Sequence, residues 1–366
     1  MTEAAPHTRL RACAQVVVAV FYYFLARSVA HHGAIGLAGD NWSPLVEQAM
    51  LVFLLVFGYA AMGFWFHGQT HPISRQGLPR RAGFGGEFAL GLAAGWAIAV
   101  VCVIPMAMAG GIAVLLSGRI SEWGWFAADA LFFLLATLAE EIAFRGYGFQ
   151  RFVEAAGPLG GALGFSAYYA LVQQLLPGSS RASFAVSFVL GLLLSTAYLR
   201  SRALWVSWGV NFGWKASRAL LFGLAVSGVG SHSSVVEGDP MGPFWLTGGG
   251  FGLDGTWIAF LVILAAIPVM FRLTRDLDYR YNAPVLEPGG IPVDLDAAAR
   301  ARHEAAMGPT APPLVQIIGP AKGPAVNGPV NGPASAGPAS APAPVADSAP
   351  GFPRAGETPV DPPTTS

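Results

Sequence analysis

Long apolar runs separated by short polar turns dominate the first 283 residues. A bilayer core of roughly 30 Å needs about 20 apolar residues per helix. On that scale the pattern predicts eight spans, at 12–30, 45–66, 88–116, 123–144, 158–176, 183–199, 203–226 and 256–271. The runs are continuous, not alternating, so helices are predicted rather than barrel strands. Gly110–Gly111 marks a place where the long third run tilts or breaks.

Basic residues in the loops then set an orientation. Arg9 and Arg11 precede the first span. Arg75, Arg80 and Arg81 follow the second, Arg145 and Arg151 the fourth, Arg200 and Arg202 the sixth, and Arg272, Arg275 and Arg280 the eighth. The intervening loops carry only Arg119 and Arg181. This alternation predicts a cytoplasmic-membrane protein with both termini in the cytoplasm. The first span contains Arg27 and no A-x-A site follows it, so no cleavable signal peptide is expected.

Composition supports a membrane class. Charged residues are 11% of the chain and hydrophobic ones 54%, against roughly 25% charged in soluble domains. The bias ends abruptly. Residues 284–366 hold 18 of the 28 prolines and a single aromatic, Phe352. The expected organisation is a transmembrane domain at 1–283 and a disordered cytoplasmic tail at 284–366, with a short helix at 293–306. Residues 1–283 carry 17 basic and 14 acidic groups, the tail 4 and 7. Neither region is a nucleic-acid surface. Cys13 and Cys102 fall in apolar runs and read as small buried hydrophobes. The chain has neither CxxC nor HExxH, and the glycine and proline around His67 and His71 disfavour a helical ligand pair. No metal and no cofactor is expected.

The chemistry therefore rests on ionisable groups placed where they are costly. The candidates inside the spans are Glu47, Asp129, Glu140, Glu141, Lys215 and Arg218. Glu141 and Arg145 stand four apart in the favourable order for an ion pair. Adjacent helix residues point about 100° apart, which leaves Glu140 facing another helix as the free carboxylate. Asn211 and Lys215 share a face. Lys215 lies mid-span and needs an anion, for which Glu140 is the natural partner; Arg218 is matched with Asp129. Tyr169 and Gln173 are also four apart. Against these functional readings stand structural ones: interfacial glutamates, a salt bridge that only ties spans 4 and 7, and an interfacial Gln173.

These residues form an ordered set that resembles the CAAX prenyl protease and bacteriocin-processing family of intramembrane endopeptidases. Glu140, Glu141, Arg145 and Gly146 meet its double-glutamate motif in full. Tyr169 and Gln173 resemble its second motif, an aromatic followed by histidine. Asn211 and Lys215, with Trp214 between them, resemble its third, histidine followed by asparagine. LLFGLAVSG and LTGGGFGLDG are similar to segments of one branch, so the likeness runs from about 85 to 270. The resemblance implies an all-α polytopic fold with a polar cavity between spans 4, 5 and 7. It also implies a glutamate that activates water, assisted by the second-motif residue, and third-motif donors for the oxyanion. Both motif histidines are replaced here, by Gln173 and Asn211, and the asparagine by Lys215.

Two functions follow. One is a histidine-free, glutamate-dependent endopeptidase acting on membrane peptides or protein termini, prenylated ones among them, reached from the membrane or the cytoplasm. The other is a pseudoprotease that binds or regulates another membrane protein. A transporter is disfavoured, since no inverted repeat is visible. The geometric difficulty is depth. Gln173 and Glu140 meet only if residues 150–159 lie along the interface and the fifth span begins near Gly161.

Overall fold

The computed structural model describes residues 6–282, apart from Gly118 and Ser231, together with His303. The expected tail at 284–366, with its helix at 293–306, lies outside the described residues except for His303.

Each predicted span corresponds to a helix: α1 (Pro6–Leu37), α2 (Ser43–His67), then after the short α3 (Pro72–Arg75), α4 (Phe84–Met108), α5 (Glu122–Arg145), α6 (Tyr147–Gln173), α7 (Arg181–Ser201) and α8 (Leu204–Ala216). A π-helical turn, Ser217–Leu221, continues α8. After the one-turn α9 (Phe244–Thr247) come α10 (Trp257–Leu273) and α11 (Arg275–Asn282). Two strands, β1 (Ile112–Leu116) and β2 (Val236–Pro240), pair antiparallel.

Three expectations need correction. Among the described residues, four helices qualify alone as spans by length and apolarity: those beginning at Thr8, Ser43, Phe84 and Arg181. The bent pair α10–α11, at 53°, makes a fifth. Helix α5 carries five charged residues along its length, Glu122, Asp129, Glu140, Glu141 and Arg145; α6 is broken, and α8 has only 13 residues before its π turn. The third span stops at Met108, because Ile112–Leu116 turns into a strand whose backbone groups pair with β2. Cys13 is exposed on the outer face of α1, whereas Cys102 is buried.

Close packing of α4 against α8 positions the chemistry. Gly91 and Gly95 on α4 face Gly209 and Gly213 on α8. A Cβ at Gly95 would lie 2.2 Å from the Val210 carbonyl oxygen, and one at Gly209 2.2 Å from that of Phe88. Small residues at such spacing let helix backbones touch, and packing then replaces the hydrophobic force that lipid removes. On the opposite side α5 crosses α8, with the Trp208 indole donating to the Leu134 carbonyl at 3.1 Å. Asn211 and Lys215 are thereby aimed at α5.

Candidate active site

Helix α5 presents its two glutamates to different neighbours. Glu141 is fully buried and lies 3.4 Å from Arg145, itself 1% exposed. Arg145 also donates to the Gly191 carbonyl of α7 at 3.3 Å and lies 5.1 Å from the Tyr169 ring centre. Gly146 follows because the chain turns directly into α6. A Cβ there would sit 2.3 Å from the Ile142 carbonyl oxygen. The run from Glu140 to Gly146 is therefore a hinge between α5 and α6 with a buried ion pair under it.

Glu140 faces α8. Its Oε1 accepts from the Lys215 ammonium at 2.5 Å, and its Oε2 from the Asn211 amide at 3.0 Å. The second Asn211 hydrogen reaches Glu141 Oε1, also at 3.0 Å. Asn211 thus bridges the two carboxylates and has no amide hydrogen left. Lys215 has three N–H groups and spends one on Glu140.

Gln173 enters from α6. That helix is two segments, joined at Gly157 (φ 78°, ψ 171°) and followed by Pro158. The break falls within the stretch expected to part from the span, and the second segment carries Tyr169 and Gln173 up to the site. The Gln173 amide donates to the Tyr169 hydroxyl at 2.9 Å. No hydrogen bond joins Gln173 to Glu140; both line one cavity of about 180 Å³, together with Lys215 and Tyr169. The Glu140 side chain is 22% exposed there. Glu141 and Asn211 are sealed beneath it.

Arg218 is not paired with Asp129. Its Nη1 lies 2.9 Å from Asp254 Oδ1, a buried ion pair. Its Nε donates to the Trp214 carbonyl, and its guanidinium lies 4.0 Å from the Trp214 ring centre. Asp254 further accepts from the Trp214 indole at 3.2 Å and from the Ser227 hydroxyl at 2.8 Å. Burial alone would raise the Asp254 carboxyl. Arg218 and Lys215 nearby, with the hydrogen bonds from Arg218 and Ser227, outweigh it and hold the group below the usual range. Asp129 instead accepts from the backbone N–H groups of His232 and Ser233, both at 2.8 Å, and from the His232 ring at 3.0 Å. Glu47 pairs with His31 at 2.9 Å.

Sequence reasoning missed Asp254 as a site residue, although LTGGGFGLDG, its own segment, carried the likeness. It also missed Tyr23 and Arg27 of α1, which line the cavity. No spacing rule joins residues so far apart in the chain.

Residues 122–217 match the family described as type II CAAX prenyl endopeptidase Rce1-like. The match covers residues 122–217 of 366, so the likeness is to the motif-bearing segment of that family. The matched segment contains the motif residues from Glu140 to Lys215 and stops before Asp254. No curated protein and no solved structure matches the chain significantly. Its long apolar helices make it an integral membrane protein, and its described part is helical apart from the β1–β2 pair. Within the matched segment, the Glu140 carboxylate meets an ammonium and an amide where the motif has histidine and asparagine.

Proposed function

We propose that the protein is an intramembrane endopeptidase in which Glu140 is the general base and no histidine takes part. It sits in the cytoplasmic membrane with both termini in the cytoplasm. Its substrates are membrane peptides or protein termini, lipidated ones included. The observation that carries this reading is that Glu140, alone of the two glutamates, opens onto a cavity that also holds Gln173 and Lys215.

The chemistry needs a base, a held water and a donor for the oxyanion. Water between Glu140 and the Gln173 amide attacks the peptide carbonyl carbon, and Glu140 takes its proton. Lys215 donates one of its remaining N–H groups to the developing oxyanion. When the C–N bond breaks, Glu140 returns the proton to the leaving amine. Asn211 is excluded as an oxyanion donor while both its amide hydrogens serve Glu140 and Glu141; its role is to fix their spacing. Arg145 and Glu141 hold the hinge, and Tyr169 orients Gln173.

One observation favours the pseudoprotease instead. Both Glu140 oxygens already accept a hydrogen bond, one of them charge-assisted. A neutralised base is a weak one. Cleavage of a quenched peptide library, plain and prenylated, by the detergent-purified full chain separates the two. The endopeptidase reading expects cleavage by wild type that disappears in Glu140→Gln. Capture of intact peptides by both forms without cleavage supports the binding protein.

A further inference from the structure

Helix ends of this bundle fall on two faces of unlike charge. On one face, hydrogen bonds tie the arginine-bearing segments together. Arg11 donates to the Phe66 carbonyl at 2.8 Å, Gln150 to that of Arg75 at 2.7 Å, and Arg81 to that of Ser201 at 2.8 Å. The guanidinium of Arg81 also lies 3.7 Å from the ring centre of Tyr281 in α11. The other face is aromatic. Trp42 lies 5.3 Å from Trp125, which stacks with His232, and β1 pairs with β2 there. Its connecting segments hold only Arg119 and Arg181.

The Glu140 cavity belongs to the second face. Its rim comes from the start of α2 at Gln48, from Leu176 just past α6, and from the Val226–Val229 turn. None of the arginine-bearing connections lines it. Towards the arginine face it is closed: Phe144 and Tyr169 are each 1% exposed and pack with ring centres 5.0 Å apart, above the buried Glu141–Arg145 pair. Ring contacts of Phe144 with Tyr23 and Tyr168 complete that floor.

Loops rich in arginine stay in the cytoplasm. We propose that Glu140 is reached from the non-cytoplasmic face, so that the protein's ligand is a peptide segment exposed on that side of the membrane. The sequence reading expected an approach from the membrane or the cytoplasm, and this route replaces the cytoplasmic one. It names the substrate class of the endopeptidase reading and rests on that reading only for the act of cleavage; the access route does not depend on it.

Cysteine accessibility tests the route without any need for activity. The full chain, with Cys13→Ser and the buried Cys102 retained, carries one of three substitutions. Ala136→Cys lies inside the cavity on α5, Asp40→Cys on the aromatic-face connection, and Ser74→Cys on the arginine face. A membrane-impermeant methanethiosulfonate is applied to right-side-out and to inverted vesicles. Expected is reaction of Ala136→Cys and Asp40→Cys in right-side-out vesicles only, and of Ser74→Cys in inverted vesicles only. Reaction of Ala136→Cys in inverted vesicles, or in neither preparation, overturns the proposal. If Ala136→Cys misfolds, Gln48→Cys at the rim is read by the same outcomes. Because no peptide is cleaved in this assay, its failure is distinct from failure of the endopeptidase reading.

Discussion

Lys215 brings its ammonium 2.5 Å from Glu140 Oε1, from the last turn of α8 to the last turns of α5. The contact ties α5 to α8, which the glycine packing already holds against α4, and it puts a fixed positive charge where a substrate oxyanion would form. Removing the ammonium leaves Glu140 with Asn211 alone. A fully buried partner would lose about 3–5 kcal/mol, but Glu140 is partly open to the cavity, so a cost of about 1–2 kcal/mol is expected after solvent screening. Lys215→Met should therefore lower the thermal midpoint by several degrees and reduce any turnover much more than it raises KM. An unchanged midpoint would show the pair to be idle.

The Arg218–Asp254 pair is closed off from solvent, and its prediction is sharper. Asp254→Ala leaves a buried guanidinium with only its Trp214 contacts and should cost about 3–5 kcal/mol. Replacing both, as Arg218→Met with Asp254→Leu, should recover much of that loss. Thermal unfolding of the two single variants and the double variant measures the coupling, and simple additivity would refute it.

Asp254 also has a pH signature. Its folded pKa is depressed by Arg218 and Lys215. A depressed carboxyl contributes stability that is fully present above its unfolded pKa of about 3.9 and is lost as pH falls through the lower folded value. The thermal midpoint of wild type should thus fall on acidification below about pH 4 more steeply than that of Asp254→Asn. Parallel acid limbs would count against the assignment.

Glycine contacts between α4 and α8 predict opposite outcomes for one substitution at two places. Gly95→Ala must push α8 away, since its Cβ meets backbone at 2.2 Å; a loss above about 2 kcal/mol is expected, at the upper end of overpacking costs. Gly85→Ala, earlier in α4, meets nothing within 4 Å. It should be neutral or stabilise by up to about 1 kcal/mol through helix propensity. Equal effects at both sites would show that the close crossing does not hold α8 in place.

Hydropathy alone located the cores of the eight helices, because apolar runs and arginine-bearing turns are local signals. It misjudged the end of α4. Ile112–Leu116 is as apolar as a helix end, and only its distant partner, Val236–Pro240, makes it a strand. The Glu141–Arg145 contact was legible because i and i+4 share a helix face. Arg218 found Asp254 instead of Asp129 since the 246–255 loop folds back beside α8, where Gly252 approaches the Ala225 carbonyl closely. Hydropathy says nothing about such a return. The break in α6 was legible as a depth mismatch, and Gly157–Pro158 resolves it through a positive φ that suits glycine.

The central claim is that the Glu140 carboxylate, at its present position, drives hydrolysis. The most direct measurement compares cleavage rates for Glu, Asp and Gln at position 140, with products identified by mass spectrometry and folding checked by thermal midpoint. Asp shortens the side chain by one methylene, and a misplacement of about 1 Å costs on the order of 10²-fold. The account predicts cleavage by wild type, roughly that loss in Glu140→Asp, and none in Glu140→Gln, all three remaining folded. Equal cleavage by wild type and Glu140→Gln, or intact peptides from every folded form, would contradict it.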